Sequence, residues 1–425
     1  MTQGHPSKIA PGHSAPPTPL AGDFLATRAL IEALGHGLSD ADASVQSLPD
    51  ASPAKWHLAH TTWFWETFLL RDHAPGYRLF NAQWPYLFNS YYEAEGARLA
   101  RAARGMLSRP SLAEVLEWRA HVTAAMTPLL EDPALAALIR LGIAHEQQHT
   151  ELLLTDIKHA FFANPLGPAM WPAAARSPGA PAARAAERGW HSHPGGIAWI
   201  GDDGTGGFAF DNEGPRHRVL IEPFALADRL VTNAEWAEFI AAGGYRDARL
   251  WLADGWAWVQ ADSITAPLYW REDGTQFTHQ GWQPREPDAA VTHISYFEAD
   301  AFATWAGYRL PTESEWEVIA AAHDPGGGNQ LDGAAAPLPG GGGGSGASLF
   351  GDVWQFTRSA YLPYPGFRPS AGAVGEYNGK FMSGQVVLRG ASCATVRGSS
   401  RASYRNFFYP HQRWQFTGLR LAKDA

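Results

Sequence analysis

The spacing of hydrophobic residues changes once along this 425-residue chain, between residues 165 and 195. Before the change, four segments carry apolar residues three and four positions apart, as helices with one buried side do. They read FLATRALIEALGHGL, HLAHTTWFWETFLL, SLAEVLEWRAHVTAAMTPLL and LAALIRLGIAHEQQHTELLLTDIKHAFF. Four such segments in succession predict a four-helix bundle.

After the change, short runs typical of strands occur together with helical patches. The strand-like runs are GIAWIG, HRVLIEPFALA, QVVLRGAS and FTGLRLA, and the helical patches are NAEWAEFIAAGG and SYFEADAFATWAG. Many Gly and Trp residues lie between them, which predicts an α+β domain with much irregular structure. The chain is too long for one ordinary core, so we expect two domains and the α plus α+β class.

Composition predicts the domain boundaries. The first 22 residues are rich in Pro, Gly and Ala without a continuous apolar stretch, so we expect a disordered leader over 1–22. A Pro/Ala/Arg-rich stretch predicts a linker over 166–192, between a helical domain over 23–165 and a second domain over 193–425. A glycine-rich segment, 325–347, is expected to be an insertion into the second domain.

Charge and cysteine content restrict the partners and the location. The net charge is −9 and no basic block occurs, which argues against nucleic acid or an anionic membrane as a partner. No run of 18 apolar residues occurs, so no membrane span is predicted. Cys393 is the only cysteine, which excludes an intramolecular disulfide and favours a cytoplasmic location.

Two pairs of histidines are spaced at about one helical turn. The motif HEQQH places His145 and His149 on one helix face, close enough to share a metal ion. A second helical segment carries His57 and His60 at the edge of an apolar face. A bundle can bring His60 opposite the 145/149 pair, which predicts a three-histidine metal site with open coordination positions. For the HEQQH motif alone, two histidines on a solvated face are the alternative.

Two neighbours of this site are also of interest. His57 is either a hydrogen-bond partner of a ligand or a plain structural histidine, and we favour the second. Glu151 follows on the same helix as the HEQQH motif and could orient a ligand. Without a cysteine or a dedicated carboxylate among the ligands, the donor set fits both a hydrolytic zinc and a redox iron.

Several motifs together resemble one enzyme family. HLAHTTWFWETFLL, YLFNSYYE and HEQQHTELLLTDIKHAFF resemble the N-terminal DinB-like domain of the ergothioneine-forming sulfoxide synthases. RLPTESEWEVIAA, LFGDVWQFT and VVLRGASCATVRG resemble their second domain, which is of the C-type-lectin-like, formylglycine-generating-enzyme-like type. The resemblance implies these two domains in this order. Formylglycine generation itself is not expected, because it requires a pair of active-site cysteines.

The resemblance implies a non-haem iron(II) enzyme that uses O2 to join a thiol sulfur to C2 of the imidazole of hercynine, with sulfoxidation. Hercynine is the trimethylated betaine of histidine. On the matching positions, the iron ligands are His60, His145 and His149. Tyr91 and Tyr92 of NSYY lie at the active site, where a phenol could deliver a proton and divert the reaction from plain thiol oxidation. Aromatic packing in a loop is the alternative for both tyrosines.

The resemblance also indicates how the substrate is bound. Gln148 is expected to face the hercynine imidazole, and Asn406 to bind the polar end of the betaine. Phe407 offers a ring face suited to a quaternary ammonium, with Phe408 and Trp414 as further aromatic candidates. The candidates for binding a carboxylate are the arginines of the C-terminal segment, with Arg413 preferred: Arg405, Arg413 and Arg420.

The sulfur donor is predicted from a departure from the family pattern. Relatives that take γ-glutamylcysteine carry an acidic residue and an arginine where this chain has Phe408 and Gln412. The charged glutamyl end would lose its partners, so free cysteine is the expected donor. A selenoneine synthase, which attaches selenium from a selenosugar to hercynine, is the alternative. A DinB-type zinc thiol transferase is less favoured, because such an enzyme does not explain the second domain.

Overall fold

The computed structural model of the protein describes residues 18–172, 188–334, 349–369, 375 and 378–425. Most of the predicted leader, and large parts of the predicted linker and glycine-rich insertion, lie outside these described residues. The first helix begins at Pro19, so the last residues of the predicted leader are helical. Within the described ranges, none of the helices has both the length and the apolar character that a membrane crossing requires.

The helices, in chain order, are α1 (Pro19–Gly35), α2 (Asp40–Ser44), α3 (Ala54–Trp65), α4 (Trp84–Phe88), α5 (Leu112–Met126), α6 (Ala136–Ala163), α7 (Asn233–Ala241), α8 (Ala253–Ala261), α9 (Tyr296–Trp305) and α10 (Glu313–Ala320). The strands are β1 (Trp190–His193), β2 (Gly196–Ile200), β3 (His217–Ile221), β4 (Phe224–Ala227), β5 (Thr275–Thr278), β6 (Gly281–Pro284), β7 (Trp354–Ala360), β8 (Val386–Gly390), β9 (Asn406–Phe408), β10 (Thr417–Gly418) and β11 (Ala422–Asp424).

Helices α1, α3, α5 and α6 form the predicted bundle, and α3 continues as a π-helix over Glu66–Arg71. The core between them is aromatic, with Trp65 and Trp118 fully buried. Gly142 allows α6 to approach α3 closely, because a Cβ atom there would lie 2.5 Å from the ring of Trp65. The four helical segments expected from apolar spacing are therefore confirmed.

A buried carboxylate connects the four bundle helices. Glu146 of the HEQQH motif accepts hydrogen bonds from side chains on the other three: Arg28 of α1 (3.1 Å), Trp65 of α3 (2.7 Å) and Arg119 of α5 (2.9 Å). Burial alone would raise the pKa of Glu146, but the two guanidinium groups outweigh it and lower that pKa to about 2. This charged centre fixes the rotation of α6, and with it the direction of the neighbouring histidines.

The second domain contains two sheets and two hairpins. A three-stranded antiparallel sheet has the order β1-β4-β11, and a four-stranded sheet has the order β10-β7-β8-β9, in which the β10–β7 pair is parallel. Strands β2 and β3, and β5 and β6, pair as antiparallel hairpins. Helices α7, α9 and α10 begin with capping boxes at Thr232, Ser295 and Thr312. The expected α plus α+β class is confirmed.

The second domain also packs against helix α6. The carboxylate of Glu151 accepts hydrogen bonds from Trp354 Nε1 (2.8 Å), Thr395 Oγ1 (2.8 Å) and Ser392 Oγ. Further along the helix, Nζ of the buried Lys158 lies 2.6 Å from Nε2 of His293. The prediction that Glu151 orients a metal ligand is therefore wrong, because its carboxylate binds the second domain.

Candidate metal centre

Three histidines from two helices meet inside the bundle. His60 lies on α3, and His145 and His149 lie one turn apart on α6. One ring nitrogen of each lies within 4.8 Å of those of the other two, and all three side chains are buried. The Nε2 atoms of His60 and His145 are 3.2 Å apart. The structure thus brings together the three residues that the sequence proposes as ligands.

Hydrogen bonds outside the cluster determine which ring nitrogens are available. Nδ1 of His60 lies 2.6 Å from the carbonyl oxygen of Phe88, and Nδ1 of His149 lies 2.9 Å from Nδ1 of His57. Because Nδ1 is occupied in both rings, Nε2 is the atom each can offer to a metal.

Burial keeps the three imidazoles neutral. It lowers the pKa of His145 to about 3 and holds the pKa of His60 and of His149 well below the ordinary value. Neutral imidazole is the form that binds iron or zinc, so the residues present fit a divalent transition metal. Three protein ligands would leave coordination positions open for substrates.

His57 contacts His149 of this cluster, which favours the role of a hydrogen-bond partner over that of a plain structural histidine. Its Nδ1 faces His149, and its Nε2 lies 3.0 Å from Oδ2 of Asp156. Asp156 also accepts hydrogen bonds from the backbone N–H of Ser52 (2.7 Å) and from Trp414 Nε1 (2.8 Å). A continuous hydrogen-bonded chain therefore runs from His149 to the C-terminal segment.

A cavity of about 420 Å³ lies between the two domains beside His149. Besides His149, four of the predicted catalytic and substrate-binding residues line it: Tyr91, Gln148, Asn406 and Phe407. Gln148 Nε2 donates a hydrogen bond to the hydroxyl of Tyr404 at 2.5 Å, so α6 and the C-terminal segment meet at the wall of this cavity. The aromatic candidates Phe408 and Trp414 line it too.

Tyr92 lies behind the cavity wall and is fully buried. Its ring stacks on Tyr91 with 4.6 Å between centroids, and lies 5.4 Å from the ring of Trp63. Trp63 in turn stacks on the ligand His60 at 5.4 Å. The two neighbouring tyrosines therefore have different surroundings, since Tyr91 borders the cavity and Tyr92 lies in the aromatic layer around His60.

The structure does not bring Arg413 to the cavity. Its guanidinium donates to Oε1 of Glu298 at 3.1 Å and to the carbonyl oxygen of Ala266 at 2.9 Å. Arg420 is also engaged away from the cavity, with the side chain of Gln355 at 2.9 Å. Arg405 reaches the cavity wall, but its guanidinium pairs with Glu313 at 2.9 Å. The partners of these arginines are distant in sequence, so the sequence did not reveal them.

Sequence reasoning missed Arg104, a cation at the cavity wall. Arg104 is 2% exposed, its guanidinium lies 3.4 Å above the ring of Trp56, and it donates to the hydroxyls of Ser52 (2.9 Å) and Ser90 (3.0 Å). The nearby carboxylate of Asp156 acts on it electrostatically. Burial, together with the nearby Arg101, holds its pKa well below the ordinary value for arginine. A buried guanidinium that is hydrogen-bonded to neutral hydroxyl groups is suited to bind an anion.

Comparison with known proteins supports the two-domain description. A model of the DinB superfamily matches residues 23–153, and a model of the sulfatase-modifying factor enzyme 1-like domain matches residues 180–334. A formylglycine-generating enzyme from Streptomyces coelicolor is 36% identical over 167 residues, which cover 35% of this chain and 52% of that protein. Its similarity is thus restricted to part of each protein.

Other relatives match along nearly the whole chain. The hercynine oxygenase of Mycolicibacterium smegmatis is 35% identical over 419 residues, which cover 91% of this chain and 94% of that protein. The hercynine oxygenase of Mycolicibacterium thermoresistibile is 35% identical over 437 residues, which cover 94% of each protein. Because this similarity spans both domains, the chain is an enzyme of the hercynine oxygenase family, the ergothioneine sulfoxide synthases that its motifs resemble.

Proposed function

We propose that the protein joins the sulfur of cysteine to the C2 carbon of hercynine and oxidises it to the sulfoxide, with iron(II) held by His60, His145 and His149. A C–S bond replaces the C2–H and S–H bonds. One oxygen atom of O2 becomes the sulfoxide oxygen, and the other leaves as water with the two hydrogens. The four electrons removed from the two substrates reduce O2 completely, so the reaction requires no external reductant.

The observation that carries this proposal is the cluster of three buried, neutral imidazoles beside a cavity between the domains. Bound iron(II) would supply the redox chemistry that makes O2 reactive. Three protein ligands would leave coordination positions open for substrates, and His149 lines the cavity. The cavity walls come from both domains, which supports a role for the second domain in substrate binding.

Hercynine fits the polar and aromatic groups that line this cavity. Gln148 and His149 line the same cavity, which supports a hydrogen bond from the Gln148 amide to the imidazole of hercynine. Phe407 and Phe381 both line the cavity, and their rings offer π surface to the trimethylammonium group. Asn406 and the cationic Arg104 lie on the same cavity and can bind a substrate carboxylate.

The two tyrosines are proposed to control proton delivery. Tyr91 borders the cavity, so its hydroxyl is the better placed of the two to reach a bound substrate. Tyr92 lies next to Trp63, which stacks on His60, so it is closer to the aromatic layer around the metal ligands. A phenol that supplies a proton at the right moment favours C–S bond formation over oxidation of the thiol alone.

Free cysteine is the proposed sulfur donor. Phe408 packs edge-on against Trp414 with 6.2 Å between ring centroids, and it carries no charge. The amide of Gln412 is engaged within the protein, because it donates to Asp50 at 3.1 Å and accepts from the N–H of Tyr409 at 3.0 Å. This end of the cavity therefore offers little to the charged glutamyl group of γ-glutamylcysteine. The single cysteine of the chain supports a cytoplasmic location for the reaction.

The test is reconstitution with Fe(II) under anaerobic conditions, followed by exposure to air with hercynine and one donor at a time. The donors are cysteine, γ-glutamylcysteine and a selenosugar, and the products are identified by mass spectrometry. We expect hercynylcysteine sulfoxide from cysteine. A selenium adduct alone would identify a selenoneine synthase that uses the same site. Absence of any adduct, in protein that prefers zinc, would favour a thiol transferase.

A further inference from the structure

His149 is connected to the second domain by a chain of three hydrogen bonds. Nδ1 of His149 is 2.9 Å from Nδ1 of His57, and Nε2 of His57 is 3.0 Å from Oδ2 of Asp156. Oδ1 of Asp156 accepts from Trp414 Nε1 at 2.8 Å. His57 and Asp156 are only 2% and 5% exposed, so water competes little for these bonds.

Metal binding would fix which atom donates and which accepts in each of these hydrogen bonds. A metal on Nε2 of His149 requires the proton of that ring to be on Nδ1, which then donates to Nδ1 of His57. Because Nδ1 of His57 accepts, the proton of that ring is on Nε2, where it donates to the carboxylate of Asp156. Every donor in this series of hydrogen bonds then faces an acceptor, and both histidines are neutral.

Asp156 can hold this arrangement because its carboxylate is itself fixed. Its Oδ2 also accepts a hydrogen bond from the backbone N–H of Ser52, 2.7 Å away and two residues before α3, while Oδ1 accepts from Trp414. Three donors from two distant segments, residues 52–57 and the C-terminal Trp414, therefore converge on one carboxylate. A side chain fixed in this way determines both the orientation of His57 and the nitrogen that carries its proton.

We propose that His57 and Asp156 are positioning residues that orient His149 for metal binding and make its ring a stronger donor, with Trp414 holding the far end of the relay. This inference rests on the proposed metal site. It assigns a role to His57, which touches neither the metal position nor, in this proposal, the reacting atoms. It also explains why a bundle histidine and a carboxylate on α6 are buried together beside the cavity.

The test is a titration of the full-length, metal-free protein with Co(II), followed by visible absorption. Wild type is compared with His57→Leu, His57→Gln and Asp156→Asn. Glutamine can accept a hydrogen bond from His149 and donate one to Asp156, whereas leucine can do neither. His159→Leu is the matched control, because this α6 histidine bonds Ser47 at 2.7 Å and lies outside the relay. Thermal unfolding of each metal-free variant separates loss of the relay from loss of the fold.

We expect His57→Leu to bind Co(II) about 10- to 100-fold more weakly and with a shifted absorption band, since loss of such partners typically has this effect. His57→Gln should recover most of the affinity, Asp156→Asn should lie between these two, and His159→Leu should match wild type. Wild-type affinity in His57→Leu would overturn the relay while leaving the metal site intact. Equal losses in His57→Leu and His57→Gln at similar thermal stability would also overturn it, because packing would then be the cause. A wild-type protein that does not bind Co(II) would refute the metal site itself.

Discussion

The stability of this protein should rise between pH 7 and pH 9 because of one buried lysine at the domain interface. Burial lowers the pKa of Lys158 from 10.5 to about 7. Its ammonium group contacts Nε2 of His293 at 2.6 Å and lies 4.6 Å above the ring of Tyr269. Neither partner carries a negative charge, so the folded state favours the neutral amine more than the unfolded state does.

The sign and size of the effect follow from proton linkage. Between the folded pKa of about 7 and the unfolded value of 10.5, the unfolded chain binds more protons, so the free energy of unfolding increases with pH. At pH 7 half of the folded molecules carry the proton, and at pH 9 almost none do, while the unfolded chain remains nearly fully protonated. Integration over this interval gives an increase of about 2 kcal/mol from Lys158.

The neighbours of Lys158 do not titrate in this interval. Burial lowers the pKa of His279 to about 3 and holds that of His293 well below its ordinary value, so both are neutral above pH 7. Burial also raises the pKa of Cys393 and of Tyr269 well above their ordinary values, so both keep their protons. The pH dependence in this range therefore reports on Lys158 among the groups of this cluster.

The assay is urea unfolding of wild type, Lys158→Met and Lys423→Met at pH 7, 8 and 9. From pH 7 to pH 9, the free energy of unfolding of wild type should rise by about 2 kcal/mol more than that of Lys158→Met. The control is Lys423→Met, because Lys423 lies on β11 with its ammonium group over the ring of Trp190. The pH dependence of its free energy of unfolding should parallel that of wild type. Methionine at position 158 leaves His293 without its hydrogen-bond donor at every pH. The test is therefore the change in the free energy of unfolding with pH, and not its absolute value. Parallel curves for wild type and Lys158→Met would refute the reasoning.

Three further predictions concern the site. His145→Ala removes one of three ligands and should abolish stoichiometric iron binding, measured by metal analysis after gel filtration. Tyr91→Phe and Tyr92→Phe should retain iron and O2 consumption but shift products from the sulfoxide toward cysteine sulfinic acid, and unchanged product ratios in both would remove the tyrosines from the mechanism. Arg104→Met should raise the KM for hercynine at least about tenfold, since the change removes a charged hydrogen-bond donor to the substrate carboxylate. Arg216→Met, which changes an exposed arginine near Trp199, should leave KM unchanged.

The bundle and two histidines of the cluster could be predicted because they depend on local spacing. Residues four apart share a helix face wherever the helix packs, so HEQQH alone is enough to pair His145 with His149. His60 required one further step, the packing of α3 against α6, which the apolar face around it indicates. Formation of the cluster is thus encoded mainly in the periodicity of two helices.

The polar partners could not be predicted, because each depends on a contact distant in sequence. Arg413 resembles a substrate-binding arginine until Glu298, 115 positions earlier, is found beside it. His57 resembles a structural histidine until His149, 92 positions later, is found at its Nδ1. Arg104 lies in a short 3-10 helix, Arg101–Met106, and its partner Trp56 is 48 positions earlier, so its place above Trp56 appears only in the folded chain.

Helix α6 connects the proposed metal site to the docking of the two domains. Successive residues on an α-helix are turned by about 100°, so Glu146 points away from the His145 face and toward the three helices that hold it. Glu151 lies on yet another side, where the second domain holds it through Trp354 and Thr395. A rotation of α6 that moved the histidines would break contacts on both sides at once. The direction of the two α6 histidines is therefore set jointly by the bundle and by the second domain, which completes the cavity. A single helix can in this way both present the histidines and hold the second domain.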